Sequence, residues 1–123
     1  MKKVLIIDDS TTTRAVVKVY LSGHQLEFLE ANNGQDGLHL ARQHAPDAII
    51  IDLKMPGMDG MTFCRKVRAE ATIKSIPIIL ITGSKGAEVR TEALKAGASV
   101  FLTKPIDVPT LAKVILSYVG GSH

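Results

Sequence analysis

Asp47-Ala48-Ile49-Ile50-Ile51-Asp52 decides the fold: a β-branched apolar run without polar interruption that ends on a carboxylate. Such a run fits a strand covered on both faces, as in a parallel sheet packed between helix layers. The same pattern repeats outward from it. Strands are predicted over Lys3 to Asp8, Glu27 to Ala31 (the weakest), Ile76 to Ile81 and Ser99 to Leu102. Helical periodicity fills the intervals. Ser10 offers an N-cap ahead of Thr13, Val16, Val17, Tyr20 and Leu21, and Ser22-Gly23 stops that helix. Gly37 to Ala45 sets Leu38, Ala41 and Ala45 on one face before Pro46, and Phe63, Val67 and Ala71 mark a further stripe. Gly86 to Lys95 turns Val89, Ala93 and Ala96 inward and closes at Gly97. Val108 to Val119 aligns Leu111, Val114, Ile115 and Tyr118. This alternation implies an α/β fold, a doubly wound five-stranded parallel sheet with helices on both faces. Residues 1–119 read as one domain and Gly120-Gly121-Ser122-His123 as a frayed end.

Composition narrows the classes of function. The chain has 123 residues, 46% of them hydrophobic, which suits one well-buried core and excludes disorder. No apolar run is long enough to span a bilayer, and the run after Met1-Lys2-Lys3 breaks too early for a secretory signal. A single cysteine, Cys64, cannot form an internal disulfide and has no histidine at metal-ligand spacing, so it reads as an ordinary helix residue in a reducing cytosol. The expected location is therefore cytoplasmic. A net charge of +3 without a basic cluster or a recognition-helix signature argues against direct nucleic-acid binding. An acidic protein partner suits the basic remainder of the surface better.

Successive parallel strands present their carboxyl ends to one edge, where ligands bind. Asp8-Asp9, Asp52, Thr82 and Lys104-Pro105 all follow strand ends and so become neighbours there. Taken singly, each has an ordinary reading. Asp before Ser-Thr-Thr caps a helix, Asp closes turns, Thr ends strands and Lys is solvated. Together they point to chemistry. Three carboxylates at one edge repel unless a cation compensates, and a hard divalent ion, most naturally Mg²⁺, does so while keeping positions open for water and phosphate. A carboxylate beside Mg²⁺ can attack an activated phosphoryl group. Lys104 and the Thr82 hydroxyl can then neutralise phosphoryl oxygens, with Gly83 leaving room.

The chain resembles the response-regulator receiver domains of two-component systems, and is closest in length to the stand-alone chemotaxis regulators. The similarity covers residues 3 to about 119. It rests on Ile7-Asp8-Asp9-Ser10, Ile51-Asp52 with Met55-Pro56 and Asp59-Gly60, Thr82-Gly83, Ala96-Gly97-Ala98 and Lys104-Pro105. Several expectations come from the resemblance and not from spacing. The strand order is 2-1-3-4-5, Asp52 is the phosphoacceptor, and Asp9 binds Mg²⁺ directly while Asp8 acts through water. The backbone carbonyl of Lys54 completes the metal ligands, and Thr82 and Lys104 bind phosphoryl oxygens. Lys104-Pro105 is a cis peptide. Thr82 and Phe101 form a switch acting on the face built from 86–95, 99–102 and 108–119, where Lys85, Arg90 and Lys95 supply positive charge. Phe101 either turns inward on phosphorylation or is core in both states. The partners implied are a histidine kinase or histidine phosphotransfer protein and a downstream protein target.

Two positions depart from the family pattern. Lys54 stands where the chemotaxis protein has an uncharged amide, which bears on phosphate lifetime. Phe101 replaces the commoner tyrosine, removing a phenol hydroxyl. Three other readings are weaker. A receiver-like module signalling without phosphate would not need the intact set of five site residues. A phosphatase with an aspartyl nucleophile usually has a second carboxylate where this chain has Lys54. A flavin carrier needs a phosphate-cradling loop where this chain has Asp8-Asp9. The expected protein is a phosphoacceptor switch and not a turnover enzyme.

Overall fold

The computed structural model describes residues 1–83 and 86–120. The expected alternation is present: β1 Lys2–Ile7, α1 Thr11–Tyr20, β2 Leu26–Ala31, α2 Gly34–His44, β3 Ala48–Asp52, α3 Gly60–Arg68, β4 Ile78–Thr82, α4 Ala87–Ala96, β5 Val100–Thr103 and α5 Val108–Val119. All strand pairs are parallel, in the order β2-β1-β3-β4-β5. Gly121, Ser122 and His123 of the expected frayed end, and Lys85 of the expected basic face, lie outside the described residues.

Strand periodicity divides the core into two layers. Leu5, Ile7, Ile49, Ile51, Ile78 and Leu80 face the buried sides of α2, α3 and α4, including Leu38, Phe63 and Ala93. Val4, Ile6, Ile50, Ile79 and Ile81 face α1 and α5 through Val17, Leu21, Leu111 and Ile115. Every residue of β3 and β4 is buried, whereas β2 at the sheet edge is only partly so. This explains why the 26–31 run is the weakest strand signal: an edge strand has one neighbour to satisfy. Each fully buried aliphatic side chain contributes about 1.5–3 kcal/mol relative to exposure, so the central strands carry most of the driving force.

Among the described residues, four of the five helices begin where a polar side chain accepts a free N–H group, and α4 begins at Gly86 without one. Ser10 accepts from Thr13 N, Asn33 from Asp36 N, Asp59 from Thr62 N and Asp107 from Thr110 N. Several predicted helix faces are corrected at their ends. Ala45 is not on the inner face of α2; it is the exposed C-cap, with φ 44°. Ala71 lies beyond α3, which stops at Arg68, and Ile73 in the following turn takes the buried place instead. Val16 and Tyr118 sit at the solvent margin of their helices, and Val119 fills the core below α5.

Candidate functional site

The carboxyl ends of β1, β3, β4 and β5 meet at one edge. Asp52 is the last residue of β3 and is buried up to its carboxylate. Asp8 follows β1 and is also buried, while Asp9 beside it is exposed. One carboxylate oxygen from each of Asp8, Asp9 and Asp52 falls within 4.8 Å of the others, a spacing suited to one hard cation. Among the described residues, Lys104 Nζ lies 3.4 Å from Asp52 Oδ2, and Lys104 N donates to the Thr82 carbonyl at 2.8 Å. Lys104-Pro105 is cis, as the resemblance implies.

The electrostatics follow from burial. Desolvation raises the Asp8 carboxyl above its ordinary range, and the charges of Asp52 and Asp9 push the same way. The Ser10 N–H, donating to Asp8 Oδ1 at 2.9 Å, and the Lys104 ammonium pull it down without reversing the shift. A pocket that disfavours its own negative charge is primed for a cation. The donor set is all oxygen, which fits Mg²⁺ and not a softer metal.

Pleat parity separates the roles of the edge residues. Asp8, Asp52 and Lys104 continue the strand positions that face α1 and α5, whereas Thr82 continues Ile78 and Leu80 on the α4 side. Phe101, the register partner of Leu80, lies on that side too. Thr82 is fully buried, and Phe101 is only 7% exposed and lines a groove of about 340 Å³ together with Gly86, Arg90 and Leu102. The Phe101 ring is packed inward in this structure. Lys54 lies in the loop after β3 with its side chain exposed, on the rim of an apolar groove that includes Met55, Met61 and Val89. Cys64 is buried in α3, and desolvation pushes its thiol up to about 11.

One residue of the site's surroundings escaped the sequence reading. Arg14 Nη1 donates to the Asp8 carbonyl at 2.5 Å and Nε donates to Glu30 Oε1 at 3.0 Å. Its position one turn after the Ser10 cap was a signal that it points back toward the Asp8-Asp9 turn. Its partner on β2 had no sequence signal.

Residues 4–116 match the family model of the response regulator receiver domain. Protein PilH of Pseudomonas aeruginosa is 36% identical over 121 residues, spanning 98% of this chain and 100% of that protein. Response regulator PleD of Caulobacter vibrioides is 40% identical over 105 residues, spanning 85% of this chain but 23% of that larger protein. Among solved structures, the chemotaxis protein CheY4 of Vibrio cholerae superimposes with a TM-score of 0.88 at 34% identity, covering 96% of this chain and 98% of that one. The chain belongs to the response regulator receiver domain family. It is therefore a phosphoaccepting switch of two-component signalling, a class whose members work with histidine kinases and downstream targets. Among the described residues, no helix is long and apolar enough to cross a membrane.

Proposed function

We propose that Asp52 takes a phosphoryl group from a phosphohistidine donor in a Mg²⁺-dependent reaction. The convergence of Asp8, Asp9 and Asp52 oxygens within 4.8 Å, with the Lys104 ammonium on Asp52, carries this reading. Asp8, Asp9, Asp52 and the Lys54 carbonyl would hold the ion, which supplies positive charge for the phosphoryl oxygens when bound. An Asp52 carboxylate oxygen attacks phosphorus in line, the P–N bond breaks, and the imidazole nitrogen leaves with the electron pair. Lys104 is drawn from Asp52 toward a phosphoryl oxygen, and the Thr82 hydroxyl donates to another. The chain catalyses only its own acylphosphate formation and hydrolysis, within a domain of residues 1–119.

The same reading makes Thr82 the link to a partner-binding face. Thr82 and Phe101 share the α4 side of the sheet, so a pull on the Thr82 hydroxyl bears on the packing of α4 and β5, and α5 completes the proposed partner face from the other side of the sheet. Arg90 and Lys95 are exposed on α4 beside Glu88 and Glu92, so the helix offers a target charges of both signs. The lone buried thiol of Cys64 needs no oxidising compartment, which fits work in the cytosol.

Intact mass after incubation with acetyl phosphate and Mg²⁺ tests the acceptor. One base-labile phosphoryl group is expected on the wild type and none on Asp52→Asn. Equal labelling of the two would sink the assignment. Asp9→Asn is expected to lower both Mg²⁺ affinity and labelling, because a direct ligand is lost; unchanged Mg²⁺ binding would refute the ligand set.

A further inference from the structure

The Asp8-Asp9 turn has to present one buried and one exposed carboxylate to the same ion, and the peptide joining them sets the angle between the two. Asp8 is held at both of its backbone groups, and the carbonyl it contributes to that peptide is one of them. The Asp8 N–H donates to the Ala31 carbonyl at 3.1 Å, and the Asp8 carbonyl accepts from Arg14 Nη1. Arg14 is itself fixed: Nε donates to Glu30 Oε1, Nη2 donates to Thr11 Oγ1 at 3.3 Å, and the side chain is only 12% exposed. Glu30 is anchored in turn by Lys18 Nζ at 2.8 Å. The two cations hold the Glu30 carboxyl below its usual range, Lys18 contributing most, so it stays ionised.

We propose that Arg14 is a positioning residue for the acidic pocket: clamped by Glu30, its guanidinium holds the Asp8 carbonyl and thereby orients the Asp8–Asp9 peptide for metal binding. The clamp links three elements, since Asp8 follows β1, Glu30 lies in β2 and Arg14 in α1. It needs a fork. A guanidinium donates to the carbonyl and the carboxylate through separate N–H groups in one plane, whereas an ammonium is a single point donor on a flexible stem. Groups that orient metal ligands without touching the metal typically govern affinity by about tenfold or more.

This inference rests on the reading that Asp8, Asp9 and Asp52 hold the cation, and one experiment separates the two. Mg²⁺ is titrated into the full chain by calorimetry for wild type, Arg14→Ala, Arg14→Lys and Glu30→Ala. The Asp9 amide shift is recorded in metal-free protein, and urea unfolding reports stability. Wild type that binds no Mg²⁺ overturns the metal site itself. If wild type binds, Arg14→Ala is expected to weaken affinity about tenfold. Arg14→Lys should fail to restore it although the charge is kept, and Glu30→Ala should weaken it in the same direction. The Asp9 amide should move in all three variants before metal is added. Wild-type affinity in Arg14→Ala, or full rescue by lysine, overturns the clamp. Should Arg14→Ala not fold, wild-type affinity in both Arg14→Lys and Glu30→Ala overturns it equally.

Discussion

Lys104 and Cys64 show how environment assigns a residue its work. The Lys104 ammonium is only partly withdrawn from water and sits 3.4 Å from Asp52, near enough to offset charge but easily drawn to another oxygen. Lys104→Ala is accordingly expected to leave Mg²⁺ affinity unchanged or raise it, since a competing cation is gone. Phosphoryl uptake from acetyl phosphate should slow by roughly 10²-fold, as when one charge-stabilising donor is lost; intact-mass time courses check both the direction and the size. Cys64 is the opposite case. Desolvation raises its thiol from 9.0 to about 11, so its neutral form favours the fold. That contribution is complete below pH 9 and declines as pH rises from 9 toward about 11. A thiol-reactive dye at pH 8 should label the native chain slowly and the urea-unfolded chain fast; fast native labelling would contradict the burial.

At the scale of elements, two close approaches have different consequences. A Cβ on Gly60 would stand 2.9 Å from the Asp52 carbonyl oxygen and 3.0 Å from Leu53 Cα, so the start of α3 is docked directly on the backbone of Asp52, the proposed acceptor. A Cβ on Gly37 would meet the Ile7 side chain, 2.4 Å from its Cδ1, a flexible tip. Gly60→Ala and Gly37→Ala should each destabilise by about 1–3 kcal/mol in urea unfolding. Only Gly60→Ala should also slow phosphorylation of the folded fraction, because backbone at the acceptor must move. The elements themselves were legible wherever burial or a cap fixed them: Ser10 as a cap and the β3 run were read correctly. Their ends were less legible. Ala71 carries the helical period of α3, but the chain turns after Arg68, whose guanidinium donates to the Lys74, Ile76 and Gly97 carbonyls. Those partners lie as far as 29 residues away, and no local pattern announces them.

Across the whole molecule, the site was legible because strand ends are marked by where apolar runs stop, and a parallel sheet brings those stops together. The Arg14–Glu30 clamp was not, because it depends on which helix faces which edge strand. Pleat parity makes Phe101 part of the core beside α4, so Phe101→Ala should cost about 3–5 kcal/mol in unfolding free energy. Adding beryllofluoride with Mg²⁺ should shift amide resonances of Thr82, α4 and Phe101; shifts confined to the neighbourhood of Asp52 would defeat the proposed switch. The sheet order has one more consequence. The acidic pocket draws on β1 and β3, and its ammonium arrives after β5, two strands further across than Asp52. On the proposed reading, an ion held by these groups would favour the native chain, in which the sheet brings them together. Mass action then couples cation supply to persistence of the fold: Mg²⁺ at ten times its dissociation constant should add about 1.4 kcal/mol. Thermal melts with and without Mg²⁺ should show a higher midpoint for wild type and a much smaller gain for Asp9→Asn. On the same reading, a chain that has lost its fold has also lost the site proposed to accept the phosphoryl group.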